Sequence, residues 1–74
     1  MKNITLTERE KNVIQHLTNG YNNEEISELL HISVHTTKAH LEAIYEKLNV
    51  HNRVQAVIKA VKYNLVDLEK DVLE

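Results

Sequence analysis

Seventy-four residues with a formal charge of −2, no cysteine, no proline and one glycine describe one small domain, with no disulfide and no thiolate to hold a metal. So short a chain leaves little room for a deep catalytic pocket. No apolar run approaches the roughly 20 residues of a membrane span, and no basic-then-apolar leader opens the chain, so a cytoplasmic location away from membranes is expected.

With Tyr21, Tyr45 and Tyr63 as its aromatics and no sustained apolar–polar alternation, the chain reads as all-α with an aliphatic core. A lead-in to Leu6 precedes Thr7-Glu8-Arg9-Glu10, a capping box in which Thr7 caps and Glu10 reaches back. The first helix, about 7–19, turns Val13, Ile14 and Leu17 inward. Gly20 then suits the left-handed residue that ends a helix, and Tyr21 can pack over the joint. Asn22 and Glu25 form a second box, opening a helix over about 23–30 with Ile26, Leu29 and Leu30 on one face. His31-Ile32-Ser33 makes a tight turn in which Ser33 caps the third helix, about 34–48. There Val34, Thr37, Leu41, Ile44 and Leu48 recur at steps of three and four, the spacing of a buried stripe. Two helices joined in this way make a helix-turn-helix, whose second member is commonly presented to the DNA major groove.

Asn49 suits a left-handed helix end, Val50 an apolar anchor, and Asn52 with Gln55 opens a fourth helix over about 53–63. Val54, Ala56, Val57, Ile58, Ala60 and Val61 make that helix apolar on two sides, so one side is expected to join the core and the other to meet a second subunit. A break at Tyr63-Asn64 would leave 65–74 as a loosely attached tail. The competing reading is a continuous helix, because Ile58, Val61, Leu65, Leu68 and Val72 keep heptad steps.

The charge is uneven. Residues 1–30 carry Lys2, Arg9 and Lys11 against five glutamates, a net of −2. Residues 31–53 carry Lys38, Lys47 and Arg53 against Glu42 and Glu46, a net of +1, together with four of the five histidines. The acidic total counts against a nucleic-acid partner, and the least acidic stretch lies where the helix-turn-helix lies. The face opposite the buried stripe carries His35, Lys38, Ala39, Glu42 and Glu46. Lys38 can bond guanine or a phosphate, Ala39 is small enough for a thymine methyl, and Glu42 can accept from cytosine N4 while repelling phosphates.

Other chemistries fare worse. His31 and His35 straddle a turn without a third and fourth ligand, so no metal and no cofactor is expected. Histidines such as His35 and His40 belong to the side-chain class that titrates near neutrality, which would make DNA affinity pH-sensitive; plain surface or cap roles are the simpler account. Glu10 and Glu25 have capping explanations, and paired-carboxylate catalysis has no pocket to occupy, so the chain is read as no enzyme and as binding no small molecule.

The residues Leu6-Thr7-Glu8-Arg9-Glu10, Gly20, Asn23, Glu25-Ile26, Leu29, Ile32-Ser33, Thr36-Thr37-Lys38, His40, Lys47-Leu48, Val50, Arg53 and Ala56 resemble the signature of the LuxR/GerE-type helix-turn-helix domain of bacterial transcription regulators. In length and layout the chain is most similar to the stand-alone GerE type, and a detached output domain of a response regulator would look alike. The resemblance implies a single four-helix domain over 1–74 whose third helix reads DNA and whose fourth pairs two subunits. It implies base contacts from His35, Lys38, Ala39 and Glu42, and roles near the backbone or in support of the reading helix for Thr36, His40, Lys47 and Arg53. It places Asn23 and Glu25 where main-chain N–H groups can meet a phosphate, and a dimer interface at Val54, Val57, Ile58 and Val61. Arg53 has a second candidate role, an ion pair with Glu8 or Glu10. The expected function is a homodimeric, sequence-specific regulator on two-fold symmetric double-stranded DNA. The alternative is an interaction module of the same fold that docks on a larger regulator or RNA polymerase without binding DNA, motivated by Glu42 and the acidic balance. The departures from the family pattern are Thr37, usually a branched apolar residue, and Glu42, usually basic or polar.

Overall fold

The computed structural model describes residues 4–68, and all that follows concerns these. Four helices succeed one another: α1 Glu8–Thr18, α2 Asn23–Leu30, α3 Val34–Leu48 and α4 Arg53–Lys62. No strand occurs among the described residues, so the fold is all-α. α1 and α3 each pack on the other three helices, whereas α2 and α4 touch only those two. α1 and α3 are therefore the spine, and α2 and α4 flank it.

Local chemistry sets each start. Thr7 Oγ1 accepts from Glu10 N (3.1 Å) while Glu10 Oε1 accepts from Thr7 N (2.9 Å), a reciprocal box. Asn22 and Glu25 repeat it at 2.8 and 2.9 Å. Ser33 Oγ accepts from Thr36 N at 3.0 Å and Asn52 Oδ1 from Gln55 N at 2.9 Å. In the last case the Gln55 side chain accepts from His51 N rather than from Asn52 N, one residue off a reciprocal box. The ends are equally local. Gly20 is left-handed at φ 98°, and a Cβ there would meet nothing within 4 Å, so backbone conformation and not space calls for glycine. Asn49 is left-handed at φ 57°, and so is His31; both are residue types enriched in that region among those with a Cβ. Tyr21 sets its ring edge-on to His16, with centroids 5.8 Å apart, over the first joint.

The core is aliphatic: Val13, Ile14 and Leu17 from α1, Ile26 from α2, Leu41, Ile44 and Leu48 from α3, Ala56 and Ala60 from α4, closed by Leu6, Val50 and Val66. Thr37 lies fully buried among them, and its hydroxyl donates to Ser33 O at 3.1 Å. A threonine thus fills the volume of a valine without leaving an unpaired polar atom.

Two expectations need correction, those for Leu29 and for the tail, while the break expected at Tyr63-Asn64 is present. Leu29 is not on the inner face of α2; it is 47% exposed, and Ser27, small and with its hydroxyl donating to Glu24 O at 2.7 Å, takes the buried place beside Ile26. α4 stops at Lys62, with Asn64 left-handed at φ 60°, so no continuous heptad helix runs through Leu65 and Leu68; Val72 lies outside the described residues. The chain after the break is also not loose at its start. Val66 is buried, and the Gln15 side chain donates to Asp67 O (2.7 Å) and accepts from Asp67 N (2.9 Å), pinning 65–67 to α1.

Candidate nucleic-acid interface

The 3.6-residue repeat of α3 divides it cleanly. Thr37, Leu41, Ile44 and Leu48 are buried, and His35, Lys38, Ala39, Glu42 and Glu46 are exposed on the opposite side. Lys38 makes no hydrogen bond or ion pair with the described residues, nor does Glu42, although a spacing of four places both on one side of the helix. His40 is half-buried at the margin of the face. Thr36 is half-buried in the cap, its hydroxyl accepting from Ser33 Oγ at 2.9 Å, so it supports the start of α3.

Two shallow grooves meet at Lys38. One is lined by Asn22, Asn23, Glu24, Val34, Lys38 and Arg53, and so brings the start of α2, the start of α4 and the α3 face together. The other is lined by Asn23, Lys38, Leu41, Glu42 and Tyr45. Residues separated by as many as 30 positions thus converge: Asn23, Lys38 and Arg53 lie around the positive end of the α2 dipole. The Glu25 carboxylate is engaged on Asn22 N, where it serves the helix start.

Arg53 reaches that groove because its guanidinium donates to the Tyr21 carbonyl, tying the start of α4 to the α1–α2 turn. It pairs with neither Glu8 nor Glu10, which corrects that expectation; Glu8 is paired with Lys11 at 3.3 Å. The partner of Glu10 is Lys47, at 2.7 Å. Glu10 is 5% exposed. Burial pushes its carboxyl up, but the Lys47 ammonium and the Thr7 cap outweigh burial and hold it below the ordinary value. Lys47 is thereby anchored to α1 rather than gathered with Lys38 and Arg53.

Tyr45 belongs to this surface and was missed from the sequence. It is half-buried beside Glu42; burial pushes its phenol up, with Arg53 opposing. Its signal was legible in principle, since residue 45 follows Glu42 by three, within one turn on the same side, and a tyrosine at a half-buried edge keeps its polar tip outward.

Of the residues expected to pair subunits, Val54 (66%), Ile58 (60%) and Val61 (39%) are exposed along α4. Val57 is not part of that row: it is half-buried and packs on the core, because it lies between the directions of Val54 and Ala60 around the helix. Among the described residues no group of three or more His, Cys, Asp or Glu is placed to hold a metal ion, and no helix is long and apolar enough to cross a membrane.

Comparison with known proteins places this geometry. The response regulator protein VraR of Staphylococcus aureus, and that of Staphylococcus epidermidis, is 44% identical over 61 residues, covering 82% of this chain. The chain spans 29% of the length of those relatives. Among solved structures, the transcription factor GerE superposes with a TM-score of 0.81 at 31% identity, over 92% of this chain and 100% of that one. The response regulator ChrA of a heme-sensing two-component system superposes at 0.81 and 37% identity, over 88% of this chain and 32% of that one. The LuxR-type receptor VqmA of Vibrio cholerae, at 0.83 and 22% identity over 88% and 30%, shares the fold. The GerE family pattern, bacterial regulatory proteins of the luxR family, matches residues 4–60, and with four helices in the same arrangement the chain belongs to that family.

Proposed function

We propose that this domain is the DNA-binding unit of a bacterial transcription regulator, reading a two-fold symmetric site as a homodimer with α3 in the major groove. The observation that carries the reading is the convergence of an unpaired Lys38, Arg53 and the start of α2 on the solvent-facing side of α3. His35, Lys38, Ala39 and Glu42 supply base contacts, with His35 in the first turn, where a recognition helix enters the groove. Asn23, the first-turn N–H groups of α2 and Arg53 supply phosphate contacts. Thr36, Glu25 and His40 hold the starts and margin of the reading surface, and Lys47 acts through its bond to Glu10 by fixing α3 on α1.

The dimer reading rests on α4. Val54 and Val61 are evenly disposed about a point beside Ile58, so an antiparallel pair of α4 helices sets Val54 against Val61 of a second copy and Ile58 against itself. A patch that complements itself under rotation is what a two-fold interface requires. The likeness to GerE, VraR and ChrA supports regulation of transcription as the setting, and the likeness to response regulators supports kinship with domains that are coupled to a receiver.

Lys38→Ala tests the reading. Affinity for a selected duplex falls by about 1–3 kcal/mol while thermal unfolding is unchanged, because the exposed Lys38 side chain makes no hydrogen bond or ion pair with the described residues of its own fold. An unchanged affinity in a salt titration of that variant rejects the assignment.

A further inference from the structure

Two residues of the α3 face, Glu42 and Glu46, oppose by their charge the surface that face would meet, and Glu42 is the one that shares a groove with Lys38. It is exposed, it is unpaired among the described residues, and it shares a groove with Lys38, Asn23, Leu41 and Tyr45. A carboxylate held there sets a negative charge against phosphates and receives no compensation from its own fold. It lowers affinity for every duplex alike unless a base donates to it.

The major groove offers two donors, cytosine N4 and adenine N6. Beside adenine N6 stands N7, an acceptor, which meets the second carboxylate oxygen as one acceptor meets another. Cytosine presents only C5–H beside N4, so a carboxylate fits cytosine and is repelled elsewhere. One turn back, about 6 Å along the helix axis, the Lys38 ammonium is placed for the acceptors of guanine in the same or a neighbouring pair.

We infer that Glu42 is a specificity-determining residue that fixes a cytosine at one position of each half-site, acting mainly by excluding the sequences that lack it. The inference rests on the DNA-binding reading above. Discrimination comes from penalising wrong partners rather than from strengthening the right one, so the domain binds unrelated DNA weakly.

The test is parallel selection from random-sequence duplex DNA with the wild-type protein, Glu42→Gln and Glu42→Ala, with thermal unfolding to confirm that each variant folds. The wild type enriches cytosine at one position per half-site, favoured about 5- to 150-fold over the other bases. Glu42→Gln moves the preference at that position to adenine, which a glutamine can bond through N6 and N7. Glu42→Ala erases the preference there and leaves the rest of the site intact, and both variants bind unrelated duplex several-fold more tightly. A wild-type site that both variants reproduce at every position overturns the role of Glu42 and leaves the DNA-binding reading standing. No site from the wild type overturns that reading, and this inference with it.

Discussion

His31 shows most plainly what a single residue costs this fold. It ends α2 at φ 57°, a conformation that a residue with a Cβ adopts at a cost of about 1–2 kcal/mol. His31→Gly should therefore raise stability by about 0.5–1 kcal/mol in urea unfolding; no gain would mean that the imidazole makes up the strain. Glu10 carries the opposite sign. Its carboxyl titrates lower in the folded chain than in the unfolded one, so its contribution is complete above the ordinary carboxylate range and is lost as pH falls through the folded value. Glu10→Gln should destabilise by about 1–2 kcal/mol near neutral pH, from the weakened cap and the half-exposed Lys47 bond, and the difference from wild type should shrink as pH falls through the folded value. A difference independent of pH would show that packing rather than charge makes Glu10 matter. Residue roles of this kind were only half legible in the sequence. Caps at Thr7, Asn22, Ser33 and Asn52 are read within four residues of chain. The choice of Lys47 rather than Arg53 as partner of Glu10 depends on how α1 crosses α3, which no local pattern encodes.

At the scale of the element, α3 was the most legible helix, because a strict three-and-four repeat fixes the buried stripe and, by subtraction, the exposed face. α2 was less so. In eight residues the stripe is short, and the buried position went to Ser27 while Leu29 turned outward. α4 was read as apolar on two sides, and the structure divides it: Ala56 and Ala60 bury, Val57 leans inward, and Val54, Ile58 and Val61 remain outside. That division makes a prediction possible. Ile58→Asp should abolish self-association in sedimentation equilibrium and leave the helical signal intact, whereas Val57→Asp should lower the unfolding midpoint by placing a charge against the core. A dimer that survives Ile58→Asp would remove α4 from the interface.

In the whole molecule two flanking helices meet the exposed face of one spine helix. α1 and α3 form the spine; α2 brings its positive end, and α4 brings Arg53, to the same edge of α3. On the proposed reading this arrangement sets Lys38 and Arg53 on the side that would meet the duplex, within a formal charge of −2. Net charge is a sum over the surface, and a nucleic acid meets only one side of it. Four helices and their order were legible because each has its own stop and start in the sequence. The convergence at Lys38 was not, since it joins residues from three helices. The anchoring of 65–67 was not either, since Gln15 and Asp67 are 52 positions apart.

Selection from random-sequence duplex DNA with the wild-type protein, at about 50 and 200 mM salt, tests the central claim most directly. The account predicts a two-fold symmetric site with its half-sites about one helical turn or a near multiple apart, and an affinity that falls steeply as salt rises. No enrichment at either salt would contradict it, and would turn the α3 face with its exposed Glu42 into a surface for a protein partner.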